Sequence, residues 1–79
     1  MAEKYKHQEK YTRLGLNIAY RRKLKGMTQL DLAEAVNISR THISNIEAPN
    51  VPTFVSLETL FDIADALDVS VDVLFRFND

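Results

Sequence analysis

With 79 residues the chain has room for one small domain, which buries roughly 60–65% of its unfolded surface. Apolar residues form 46% of it and recur at helical intervals, which excludes a disordered chain; the absence of cysteine excludes a disulfide scaffold, a zinc–thiolate site and a cysteine nucleophile. The net charge of −1 hides an asymmetry: residues 1–45 carry nine Lys/Arg against four acids, a net +5, and residues 46–79 carry Arg76 against seven acids, a net −6. Such a split turns a basic half to phosphates and an acidic half away from them, or it is no more than solvated helix faces. His7 and His42 lack metal-ligand spacing, and Gly15 and Gly26 make no phosphate loop. No apolar run approaches the roughly 20 residues of a membrane span, and no apolar stretch follows Met1 as in a signal peptide. The expectation is a cytoplasmic protein without metal or cofactor and, since no acid/base pair or nucleophile triad is visible, not an enzyme.

Residues 1–9 are polar, a tail or an extension of the first helix. From Lys10 to Lys25 the spacing predicts a helix, with Leu14 and Ile18 on one face, cations in the last turn and Gly26 as left-handed C-terminal cap. Thr28 caps a second helix, Gln29–Val36, with Asp31 completing a weak capping box. Asn37 supplies a left-handed turn, Ile38 an apolar plug, and Ser39 caps a third helix, Arg40–Glu47. Pro49 and Pro52 break the segment from Ala48 to Val55. Ser56 caps a fourth helix, Leu57–Leu67, whose expected core stripe is Leu57, Leu60, Phe61, Ala64 and Leu67. After Ser70 two patterns compete. Val69, Val71 and Val73 alternate as in a strand, whereas Val71, Leu74 and Phe75 fit a short helix capped by Ser70; the helix is expected. No internal repeat and no low-complexity segment is evident. The domain is therefore read as residues 10–79, all-α with five helices.

The chemistry concentrates between Thr28 and Glu47, two short helices joined by a tight turn. Along the third helix Ile43 and Ile46 form the buried edge, while Arg40, Thr41, Ser44 and Asn45 are read as its opposite, polar side. Arginine bonds guanine O6 and N7, asparagine pairs with adenine, and Ser or Thr bonds bases or meets a thymine methyl, so this face suits the major groove of duplex DNA. Small Ala33 lets the two helices approach. Gln29 stands at a helix N-terminus, where it and the free N–H groups can meet a phosphate oxygen. His42 lies at the edge of the face, as a phosphate ligand or an ordinary surface histidine.

The stretch TQLDLAEAVNISRTHISNIE, residues 28–47, resembles the helix-turn-helix of phage repressor and Cro-like (XRE-type) transcriptional regulators, with Gln29, Ala33, Asn37, Ile43 and Ile46 at the family's spacing. The resemblance extends over about Leu14 to Phe75 and implies a five-helix repressor-like domain that binds duplex DNA. It implies base contacts from Arg40, Thr41, Ser44 and Asn45, a phosphate contact from Gln29, and a structural Arg22–Glu47 pair in which Arg22 also faces DNA. Asn50, in the loop that often meets phosphate in relatives, is a further phosphate candidate. The chain departs from the pattern at Asn37, where relatives usually carry Gly, at Arg21, where they carry an apolar residue, and in the longer loop around Pro49.

Val73 and Phe77 remain apolar after the last helix has packed, which marks a partner surface. A two-fold homodimer through them places two recognition helices roughly 34 Å apart on a near-palindromic site. A rival reading assigns the acidic C-terminal half to a protein partner, as in an antitoxin-type component of a toxin–antitoxin pair.

Overall fold

The computed structural model describes residues 6–51 and 53–76, which form five helices and no strand: α1 (Gln8–Leu24), α2 (Gln29–Val36), α3 (Arg40–Glu47), α4 (Leu57–Leu67) and α5 (Val71–Leu74). Each helix contributes to one core. Ile18 from α1, Leu32 from α2, Ile43 from α3, Leu60 and Ile63 from α4 and Leu74 from α5 are fully buried.

Local signals set most of these boundaries. Asp31 N–H donates to Thr28 Oγ1 at 3.0 Å and Thr28 N–H returns a bond to Asp31 Oδ2 at 2.8 Å, so the box at the start of α2 is complete. Ser39 and Ser56 accept the N–H groups of His42 and Thr59 in the same way. Gly26, at φ +76°, turns the chain out of α1, and Met27 N–H reaches back to Arg22 O. Helix α1 begins at Gln8, two residues before the expected start, because His7 makes no side-chain cap and leaves no mark in the sequence.

An internal repeat is present after all. Leu30–Ser39 (LDLAEAVNIS) and Phe61–Ser70 (FDIADALDVS) match position by position, with Asp, Ala, Ala and Ser shared and conservative exchanges elsewhere. The backbone repeats with it. Asn37 and Asp68 both sit at φ 59°, with ψ of 44° and 43°. Ile38 N–H donates to Ala33 O and Val69 N–H to Ala64 O, each at 3.0 Å. Ser39 and Ser70 then start the next helix. The likeness escapes notice because six of the ten positions differ and only the shape of the turn makes them equivalent.

Two apolar assignments are corrected. In α4 the buried set is Leu60, Ile63, Ala64 and Leu67, which fall within an arc of roughly 100° on the helix, while Leu57 and Phe61 lie beyond it and are 63% and 48% exposed. Phe75 follows the four-residue α5 and is 48% exposed instead of packed in the core. Val73 is half-buried. Phe77 lies outside the described residues.

Candidate nucleic-acid interface

Helix α3 is held by its inner edge and open on its outer one. Ile43, Ile46 and Glu47 are buried. Thr41 lies nearly opposite them and is exposed; Ser44 and Asn45 are half-buried beside it. Arg40 and His42 occupy the two flanks, Arg40 exposed and His42 half-buried, so the arginine reaches the outer face from the side.

Three devices fix this helix. The first is a buried ion pair. Arg22 Nε donates to Glu47 Oε2 at 2.8 Å and Nη2 to Oε1 at 2.9 Å, a fork-to-carboxylate geometry, while Nη1 donates to Met27 O at 2.8 Å. Both residues are 7% exposed. The bonds and charge of Glu47 raise the Arg22 guanidinium above its already high ordinary value, so it stays charged. Gln29 Nε2 adds a third donor to Glu47 Oε1 at 3.0 Å, which joins α1, α2 and α3 at one carboxylate. The second device is Gly15. A Cβ there would lie 2.0 Å from the carbonyl oxygen of Ile46, so only glycine lets α1 rest on the backbone of α3. The third is the loop after α3. Thr53 Oγ1 donates to Asn45 O at 3.2 Å and Thr12 Oγ1 to Pro49 O at 3.2 Å, tying both ends of the segment that carries Asn50. Asn50 itself is exposed.

The expected base-facing residues thus share one helix, with Asn50 in the loop that leaves its C-terminal end. Arg22 does not join them. Its side chain is buried, and each of its three nitrogens makes one inward bond, two to Glu47 and one to Met27 O. Gln29 is half-buried and spends one amide hydrogen on Glu47. Val73 lies apart on α5, where Asn17 Nδ2 from α1 meets the carbonyls of Val73, Leu74 and Arg76 at 3.1, 2.9 and 3.2 Å. Thr12, Gly15, Asn17 and Thr53 are residues that sequence reasoning missed. Only Gly15 left a signal, since a glycine inside a helix costs stability unless close packing needs it.

With this geometry in view, the comparisons with known proteins are decisive. A helix-turn-helix family model matches residues 18–74. The chain belongs to the XRE-type helix-turn-helix family of DNA-binding transcriptional regulators. No curated protein matches the sequence closely. Among solved structures, the restriction-modification controller protein C.AhdI from Aeromonas hydrophila superposes with a TM-score of 0.77 at 28% identity, over 82% of this chain and 96% of that one. SinR, described as the master regulator for biofilm formation, solved in complex with DNA, has a TM-score of 0.73 at 35% identity, over 80% of this chain and 98% of that one. The hypothetical transcription factor NHTF from Neisseria covers 96% of this chain and 85% of its own at 28% identity, with a TM-score of 0.78. As an XRE-type regulator the chain has no helix, among its described residues, long and apolar enough to cross a membrane.

Proposed function

We propose that this regulator recognises a specific duplex sequence by laying α3 in the major groove. The observation that carries the reading is the contrast across α3: an inner edge locked by Gly15, Ile43, Ile46 and the Arg22–Glu47 pair, and an outer face of Thr41, Ser44 and Asn45 with Arg40 at its side. A rigid helix presenting short hydrogen-bonding side chains is what base readout requires. Arg40 takes a guanine edge; Thr41, Ser44 and Asn45 read its neighbours. Phosphates are met by the N–H groups at the start of α2, the second Gln29 amide hydrogen, His42 and Asn50. Two copies joined through the C-terminal segment, by Val73 and Phe77, read a near-palindromic operator with half-sites roughly 34 Å apart. Occupying that operator regulates transcription from the adjacent promoter.

The test is selection from a random duplex library at about 150 mM salt, where non-specific phosphate attraction is weakened. Enrichment of a near-palindrome is expected. Uniform, salt-sensitive binding without enrichment would turn attention to the acidic half as a protein-docking surface, the second reading.

A further inference from the structure

The N-terminal half of α1 and the residue after α5 enclose a groove of 290 Å³, lined by His7, Lys10, Tyr11, Leu14 and Phe75. The volume equals roughly ten water-sized spaces of about 30 Å³ each. Its floor is the Leu14 side chain and two aromatic rings, and the Tyr11 ring is itself held edge-on by Phe54 at 5.4 Å. Its rim is cationic. Lys10 lines it and makes no ion pair among the described residues, and His7 lines it too. Water in such a space finds few partners, and an apolar body displaces it favourably.

We propose that this groove is a binding site for a small anionic amphiphile, a medium-chain or aryl carboxylate. Its hydrocarbon lies on Tyr11, Leu14 and Phe75 and its carboxylate meets the Lys10 ammonium. The cationic rim selects against a neutral or cationic head group, and the volume selects against long chains. The site uses none of the residues assigned to DNA, so it is independent of base reading; Phe75 lies in the C-terminal segment assigned to the dimer, so it is not independent of dimer formation.

The probe is octanoate, titrated into the full-length protein without DNA and followed by amide NMR shifts. Shifts confined to residues 7–14 and 74–76, saturating in the millimolar range or below, are expected. Octanol, with the same chain and no charge, binds at least about threefold more weakly, as an exposed charge contact implies. Lys10→Gln, at an exposed position outside the core, brings octanoate down to the level of octanol. The proposal is overturned by an absence of shifts at these amides, by equal affinity for octanoate and octanol, or by the amides of residues 7–14 moving with protein concentration alone, which would seat a second copy of the chain in the groove.

Discussion

Residues Leu30–Ser39 and Phe61–Ser70 turn the chain with the same dihedrals and the same hydrogen bond, yet they deliver two different helices. After Ser39 comes α3, eight residues with one locked edge and one polar, open face. After Ser70 comes α5, four residues, with Leu74 fully buried and its final carbonyls taken by Asn17. The turn sets the angle between two helices and nothing more. What lies beyond the serine decides whether the second helix reads a partner or closes the core. In the first copy the exposed positions are Arg40 and Thr41; in the second, the stretch after the cap is Val71, Asp72, Val73, Leu74, too short and too apolar to offer a reading face.

The largest test of this contrast concerns what locks the first copy. Arg22→Met leaves Glu47 buried without its partner and is expected to cost about 3–5 kcal/mol by urea unfolding, whereas Arg22→Met with Glu47→Leu recovers most of the loss. If the single change were nearly neutral, α3 would not depend on the ion pair, and the two copies would be held by similar forces. Gly15→Ala comes next. Its methyl meets the Ile46 carbonyl, so α1 and α3 must separate, at about 1–3 kcal/mol in stability together with lower duplex affinity. The counterpart in the second copy, Asn17→Ala, strips α5 of its side-chain donor and costs about 1–2 kcal/mol. It leaves the affinity of one domain for one half-site unchanged, because nothing about α3 has moved. A matching loss of half-site affinity in both variants would show that the two halves act as one unit.

Arg40→Ala isolates reading from folding. Binding to the preferred duplex weakens by about 1–3 kcal/mol, the preference at one base pair relaxes, and the unfolding midpoint stays in place. An equal loss on every duplex would make Arg40 a phosphate contact. The turns themselves are compared by exchanging their left-handed residues. Asp68 places a carboxylate at the negative end of α4, so Asp68→Asn is expected to stabilise by roughly 0.3–1 kcal/mol, and Asn37→Asp to destabilise by a similar amount. Same-sign shifts in melting temperature would mean that the two turns, alike in backbone, differ in their electrostatic surroundings.

How much of this was legible beforehand follows from where each constraint resides. Helices α2, α3 and α4 are bounded by Thr28, Ser39, Ser56 and the left-handed Asn37, all local devices, and their ends fall where those residues predict. The start of α1 has no side-chain cap and was misplaced. The face of α3 was legible because Ile43 and Ile46 mark its inner edge. Its support was legible only in part: the Arg22–Glu47 pair came from family resemblance, and the hydroxyls of Thr12 and Thr53, like the amide of Asn17, act on carbonyls 37, 8 and 56 or more residues away, which no local pattern encodes. The repeat was present in the letters but became visible only through the shared dihedrals. Leu57 and Phe61 misled because periodicity shows which residues share a face but not how wide a strip the neighbouring helices cover.

The smallest expected effect separates the first-turn carboxylates of α2 and α5 by acid titration. Asp31, at the start of α2, is held below its ordinary 3.8 first by the Thr28 N–H; Asp72, in α5, is held below it first by the Ser70 hydroxyl and then by Arg76. A carboxylate whose folded value is depressed contributes stability that is complete above its unfolded value and disappears as pH falls through the folded one. Both contributions are therefore intact at neutral pH and fade only in the acid range below the ordinary value. Carboxyl NMR titration should place both midpoints below those of the unfolded chain. Raising the salt to about 1 M should move Asp72 back more than Asp31, because the exposed Arg76 charge is screened while a hydrogen bond from a backbone N–H is not. If Asp31 moved as far as Asp72, the box at the start of α2 would be held by the general field of the basic half instead of by Thr28, and α2 would enter the DNA-reading unit no better anchored than α5 is at the other end of the domain.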